Sequence, residues 1–489
     1  MSDYSNLKEK SITGFAWQLA QKLTGQLMSF VVTVILTRIL LPEEYGIVAM
    51  AGMVLSFIGL FGVIGLQVSL IQKKEVDEED LSTIFYAGFV MSVVLYAIVY
   101  FIAPFAASAF NQPLVCDIMR VSGLTFLIGA FGTVQNAIIT RHLDFKFFFW
   151  ATLVGGLFSA AVAIGMAYSG YGVWSLVAQS IMSAILNTLI LFYIVRWHPK
   201  LLFSWKKFKT MFSFAWKQMM ASTIATVAEQ SRGYVIGIRY TASDLAFYNR
   251  GDGLPGIVYN QVNSTIQGVL FPVLSRLQDD KNAIKNGLSR SMKVSSYVLF
   301  PALLGLAAVS DKLVIILYTE VWLPAVPFMQ LVCIIYCFSL IGGANTQAIT
   351  AMGRSDIVLK WEMAKRPVML GILCITAFIS PLAIAIGQCI YAIGVCFFNA
   401  YPNKKILGYP IREQIKDIGG NFINSIIMVA VVLATGYMPL NIYVTLILQI
   451  LFGCATYLGL SVLCHNESFY YILDFIQKRY KHGKQKGES

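Results

Sequence analysis

Eight basic and four acidic side chains stand inside the long apolar runs of this 489-residue chain, clear of their end residues. The bases are Lys22, Arg120, Lys217, Arg232, Arg250, Lys360, Lys365 and Arg366, and the acids are Asp117, Glu229, Asp252 and Glu362. A charge at the centre of a bilayer costs at least about 2.5–3.5 kcal/mol, so such groups face protein or water and mark a pathway or a partner. Their surplus is positive, which calls for a counter-charge of the kind a phosphate or diphosphate ligand carries. Lys22, Lys217, Lys365 and Arg366 are the primary candidates for a cationic substrate cavity, and Arg120, Arg232, Arg250 and Lys360 the secondary ones. Lys22 lies about 12 Å into its helix at a rise of about 1.5 Å per residue, on a face shared with Gln18 and Gln26. Lys217 adjoins a face of Gln218, Ser222, Thr226 and Glu229, and Lys365 and Arg366 directly precede Pro367. Glu229, Glu362 and Asp252 are candidates for Na⁺ or H⁺ coupling, since a buried carboxylate can exchange a proton. The competing use is ion pairing, Glu229 with Arg232 and Glu362 with either Lys365 or Arg366.

Nothing nominates covalent chemistry. There is no Walker loop, dinucleotide fingerprint, zinc motif or nucleophile elbow, so no catalytic residue, metal or cofactor is expected and the chain does not read as an enzyme. The eight cysteines lie mostly in apolar stretches and read as small hydrophobes. Cys333 and Cys337 are one helical turn apart, but no histidine is near them in sequence.

The elements that position these residues are membrane spans. Hydrophobic residues make up 57% of the chain and charged ones 13%, about half the charge of a soluble domain. About fourteen helices are predicted, near 14–36, 46–71, 82–103, 114–139, 149–168, 173–195, 213–238, 247–274, 295–311, 325–350, 357–378, 381–402, 417–435 and 442–464. The first reads as a retained span, not a signal peptide. With a cytoplasmic N-terminus, 26 Lys and Arg fall on the cytoplasmic side and 3 on the other, placing both termini inside. The net charge of +12 is thus a topology signature, and no nucleic-acid partner is expected. Pro255, Pro272, Pro301 and Pro367 are sited to kink their helices.

The chain also repeats itself. Phe15-Ala16-Trp17 opens the first helix and Phe214-Ala215-Trp216 the seventh; each helix ends at an arginine, Arg38 or Arg239, before an acidic turn with a tyrosine. A shorter echo pairs Arg141 to Asp144 with Arg354 to Asp356. The predicted organisation is a six-helix lobe over 1–200, an interfacial linker over 201–212 and a second six-helix lobe over 213–402. An extra helix pair over 403–464 and a basic cytoplasmic tail over 465–489 follow. This is an all-α polytopic membrane protein with two pseudo-symmetric lobes and a cleft between them.

The block L-T-R-I-L-L-P-E-E-Y-G from Leu36 to Gly46, with G-L-Q-V-S-L-I-Q-K-K from Gly65 to Lys74, resembles the bacterial polysaccharide flippases. The opening G-F-A-W-Q, R-H-L-D-F-K from Arg141 and Y-G-V-W-S-L-V from Tyr171 strengthen the likeness to the colanic-acid-exporter branch of the multidrug/oligosaccharidyl-lipid/polysaccharide exporter superfamily. The resemblance covers roughly residues 10–465. It implies alternating access that moves an undecaprenyl-diphosphate-linked repeat unit to the periplasmic leaflet of the inner membrane, for surface or capsular polysaccharide. It also implies no nucleotide, a lipid-linked oligosaccharide and membrane lipids as partners, a polysaccharide polymerase downstream, and a monomer. The alternatives are an ion-coupled exporter of organic cations from the same superfamily and a lipid II flippase.

Overall fold

A computed structural model describes residues 2–62, 64–277, 280–474 and 477. Some side chains inside the helices, those of Glu229, Gln218, Ser222 and Gln267 among them, lie outside the described residues. The described chain is all helical: α1 Ser2–Thr37, α2 Pro42–Gly59, α3 Ile64–Gln72, α4 Glu78–Ala109, α5 Leu114–His142, α6 Lys146–Tyr168, α7 Val173–Val195 and α8 Trp205–Arg239. There follow α9 Ala242–Arg276, α10 Lys281–Ala308, α11 Ser310–Tyr318, a 3₁₀ turn Glu320–Ala325, α12 Val326–Ala351, α13 Ser355–Thr376, α14 Pro381–Leu407, α15 Ile411–Gly436 and α16 Ile442–Leu463.

Ten of these helices are long and apolar enough to cross a membrane. The four predicted spans that fail this composition test do so for identifiable reasons. The predicted 46–71 helix is broken: α2 stops at Gly59, and α3 restarts at Ile64 after a turn containing Gly62. Helices α8, α9 and α13 form, but they carry the amide and charged residues that lower their apolar content. Two further boundaries differ. The predicted 295–311 span is the second half of α10, whose first turns are basic and polar. The 201–212 segment is not separate from the helix after it, because α8 runs unbroken from Trp205.

The chain divides into two compact units, Met1–Ala246 and Phe247–Ser489. In the first, α1 packs on α6, α6 on α7, α4 on α5 and α5 on α7, while α8 lies against α2, α3 and α4. In the second, α12 packs on α14 and α10, and α10 and α16 flank α15. The sequence repeat has a local structural counterpart. Glu44 Oε2 accepts from the Leu41 N–H (2.8 Å) at the start of α2. Two hundred residues on, Asp244 Oδ2 accepts from the Thr241 N–H (3.1 Å) and hydroxyl (2.7 Å) at the start of α9. Both are third-residue carboxylates closing a helix N-terminus, as in a capping box. The shorter echo is used differently: Arg354 pairs with Asp356 at 3.1 Å, whereas Arg141 caps the end of α3 by donating to the carbonyls of Leu70, Ile71, Lys73 and Lys74.

The loop leaving α3 is clamped to the start of α8. Asp77 and Asp80 cap α4 reciprocally, and Lys207 reaches Asp77 (2.5 Å) and Glu79 (2.6 Å), while Lys73 holds Asp80 (2.5 Å). Lys207 beside it lowers the Asp77 carboxyl to about 2, and the same contact raises the Lys207 ammonium. A depressed carboxyl stabilises the fold above its unfolded value, 3.8, and loses that contribution as pH falls through about 2. The raised ammonium contributes below its unfolded value, 10.5, and loses its contribution as pH rises through the higher folded value. Lys207→Gln is therefore expected to lower the unfolding temperature by a constant amount between about pH 4 and pH 10. The gap to the unmodified protein should shrink toward pH 2; a gap that widens on acidification would contradict the clamp.

Candidate functional site

In the first unit, α1 carries Lys22 on an exposed face that also holds exposed Gln18. No carboxylate lies within 4.0 Å of the Lys22 ammonium among the described residues, and Gln21 alongside donates to Thr152 Oγ1 (3.3 Å), tying α1 to α6. Lys217 on α8 is also exposed and without a carboxylate among the described residues. An uncompensated ammonium on a membrane helix is stable only where water, a headgroup or an anionic ligand reaches it. Arg120 takes a different partner, stacking its guanidinium 4.2 Å from the Tyr100 ring centre. Such contacts contribute roughly 0.5–2 kcal/mol and absorb a cation without a carboxylate. Arg232 on α8 is half-buried, and its predicted partner Glu229 has a side chain outside the described residues.

In the second unit, α13 brings three of the predicted residues together. Lys365 is buried and donates to Glu362 Oε1 (2.5 Å) and Asn399 Oδ1 (3.0 Å), and Asn399 in turn donates to the Gly342 carbonyl (3.1 Å). Its ammonium thus ties α13 to α14 and, through Asn399, to α12. Glu362 pairs with both of the neighbours named as its possible partners and not with Lys360. One oxygen takes Lys365 and the other Arg366, at 3.6 Å, because residues three and four apart lie on one helix face. Arg366 is 40% exposed and keeps donors for a ligand, whereas Lys365, at 6%, is committed to protein. Lys360 is exposed, with no carboxylate within range among the described residues. Arg250 lies over two rings, 5.2 Å from Tyr318 and 5.1 Å from Trp322, and Asp252 accepts from the Tyr336 hydroxyl (2.7 Å).

Charge alone missed a neighbouring amide network. Asn345 and Gln414 exchange hydrogen bonds (2.8 and 3.1 Å), Asn403 donates to Asn345 Oδ1 (2.6 Å), and Gln414 donates to the Tyr409 carbonyl (3.1 Å). These residues are fully or nearly fully buried and lock α12, α14 and α15 together. The available signal was Asn399 and Asn403, four apart in an apolar run, since buried amides in a membrane helix seek partners on the next helix. All eight cysteines are free thiols, and no group of three or more His, Cys, Asp or Glu able to hold a metal occurs among the described residues.

Ten helices among the described residues are long and apolar enough to span a bilayer, as in a multi-pass membrane protein. Residues 35–327, more than half of the chain, match the family described as polysaccharide biosynthesis protein. The chain belongs to this family and is a multi-pass membrane protein. It is 27% identical over 327 residues to the succinoglycan biosynthesis transport protein ExoT of Rhizobium meliloti, covering 66% of each chain. It is 24% identical to the lipopolysaccharide biosynthesis protein WzxC of Escherichia coli, over 80% of this chain and 78% of that one. Among solved structures, the lipid II flippase MurJ in an inward closed conformation shares the fold with a TM-score of 0.74 at 16% identity, covering 94% of this chain and 99% of that one. An inward-facing MATE-family multidrug transporter aligns with a TM-score of 0.58 at 12% identity, over 78% and 94% of the two chains.

Proposed function

We propose that this protein moves an undecaprenyl-diphosphate-linked oligosaccharide repeat unit from the cytoplasmic to the periplasmic leaflet by alternating access, for surface or capsular polysaccharide. The observation that carries the reading is the cation surplus on polar membrane helices: Lys22, Lys217 and Lys360 have no carboxylate within range among the described residues, and Glu362 alone serves both Lys365 and Arg366. A diphosphate supplies the missing negative charge, whereas an exporter of organic cations needs acids in excess. Arg366 suits bidentate contact with phosphate oxygens, and the exposed Lys22 and Lys217 act as mobile point charges. Lys365 contributes chiefly by holding Glu362, which leaves Arg366 only part of a carboxylate.

The quadruple variant K22Q/K217Q/K365Q/R366Q is expected to reach the membrane yet deliver the lipid-linked unit about tenfold less, the factor for a loss of about 1.4 kcal/mol in headgroup attraction. Delivery at the unmodified rate and equal abundance would remove the cations from the mechanism.

The proposed topology has fourteen crossings in two six-helix lobes plus the α15–α16 pair, with both termini cytoplasmic. It rests on the 26-to-3 distribution of Lys and Arg. Single cysteines placed at 243 and 410 are expected to label from opposite sides; labelling of both from the periplasm would overturn the alternation. Na⁺ or H⁺ coupling is proposed to use Asp252, Glu229 or Glu362, and the protein to act as a monomer that hands its product to a polymerase.

A further inference from the structure

We infer that the groove between α4 and the 201–212 segment is a binding site for one anionic phospholipid, with an acyl chain in the groove and the headgroup phosphate held by Lys206 and Lys209. The groove encloses about 620 Å³ and is walled by Tyr86, Val90, Met91, Leu202, Trp205 and Phe208, among other apolar residues. Its aromatic wall is a ladder. Phe203 lies 6.4 Å from Trp205, Trp205 5.2 Å from Phe208, and Phe208 5.4 Å from Phe212, ring centre to ring centre. Residues 205, 208 and 212 share one face of the first turns of α8, and the lysines at 206 and 209 stand one position along from two of them. The segment is amphipathic in the way that interfacial helices are, aromatic below and cationic above.

The groove is built in advance. The Lys200 N–H donates to Ser82 Oγ (3.2 Å) and the Ser204 N–H to Thr83 Oγ1 (3.0 Å), fixing the incoming strand of chain on α4. Lys207 locks the start of α8 to the acidic cap of that helix. Charge selects the occupant. Every acid of the 77–80 cluster is already engaged: Asp77, Glu79 and Asp80 by Lys207 and Lys73, and Glu78 by Lys200 (3.7 Å) and the Trp197 indole N–H (3.2 Å). Lys206 and Lys209 are exposed with no carboxylate within 4.0 Å among the described residues, so the rim of the groove is positive. A zwitterionic lipid fills the groove equally well but leaves two ammonium groups uncompensated. Basic side chains at a membrane surface favour anionic lipid by a factor that, for two lysines, is roughly tenfold or more.

The test does not depend on transport. Purified full-length protein is placed in phosphatidylcholine nanodiscs containing a graded fraction of either phosphatidylglycerol or phosphatidylcholine with brominated chains. Quenching of Trp205 is read as the difference between the unmodified protein and W205F. Half-maximal quenching is expected at about a tenfold lower fraction of brominated phosphatidylglycerol than of brominated phosphatidylcholine. K206Q/K209Q should bring the two curves together while retaining quenching, and F208A should weaken quenching by both lipids. Coincident curves in the unmodified protein, a preference that survives K206Q/K209Q, or no quenching of Trp205 by either lipid would each overturn the assignment.

Discussion

Gly46→Ala is expected to remove most of the folded protein from the membrane, with a loss of about 3 kcal/mol or more. A Cβ at position 46 would sit 1.8 Å from the Ala242 carbonyl oxygen and 2.3 Å from its carbon, so α2 touches the backbone that opens α9. Overpacking typically costs about 1–3 kcal/mol when side chains can move aside. Here the obstacle is main chain, whose displacement would pull Thr241 away from Asp244 and undo the cap at the start of α9. The control lies on the same helix: nothing stands within 4 Å of a Cβ at Gly52. G52A should be neutral or stabilising by up to about 1 kcal/mol, as expected for alanine replacing glycine in a helix. The readout is the fraction of monodisperse protein remaining after heating in mild detergent, and a G46A variant as robust as G52A would refute the close approach.

The second large effect is expected at the Lys365 network, and it is asymmetric. Glu362→Gln removes the negative charge beside the buried Lys365 ammonium and leaves it only neutral amide oxygens, the introduced one and Asn399 Oδ1, as acceptors. Breaking a buried ion pair by removing one partner costs about 3–5 kcal/mol; since Glu362 is 39% exposed, about 2 kcal/mol is the expected loss. Lys365→Met should cost less, because Glu362 keeps Arg366 and reaches water, and E362Q/K365M should recover most of the E362Q loss. Thermal unfolding of the three variants gives the cycle directly. A K365M loss larger than that of E362Q, with no recovery in the double variant, would show that the ammonium matters for packing and not as a charge awaiting compensation.

Much of this was legible in the sequence because hydrocarbon imposes simple rules. Uninterrupted apolar runs gave α4 to α7, α12 and α14 to α16 within a few residues, since a bilayer tolerates little else. The spans that sequence composition marks least clearly are α8, α9 and α13, and they are three of the four that fail an apolar criterion in the structure, for the same reason: they carry the polar residues. The break between α2 and α3 was hidden because glycine is common in membrane helices, and hydropathy does not register a turn at Gly59 and Gly62. At the candidate site, helical spacing correctly placed Glu362, Lys365 and Arg366 on one face. It did not reveal that Lys365 is buried and Arg366 half-exposed, which depends on Asn399 from α14. Likewise the aromatic partners of Arg120 and Arg250 come from other elements, Tyr100 on the preceding helix and Tyr318 and Trp322 about seventy residues on, beyond the reach of spacing within one helix.

The central claim, transport of an anionic lipid-linked glycan, is tested most directly with purified protein in sealed vesicles. The vesicles carry undecaprenyl-diphosphate oligosaccharide in one leaflet, and an impermeant glycosidase or lectin reports its arrival in the other. The unmodified protein is predicted to raise the rate of appearance well above protein-free vesicles, K22Q/K217Q/K365Q/R366Q to fall about tenfold below it, and a fluorescent organic cation to remain where it was loaded. Movement of the organic cation with no movement of the lipid-linked glycan would contradict the account and place the protein with the drug exporters.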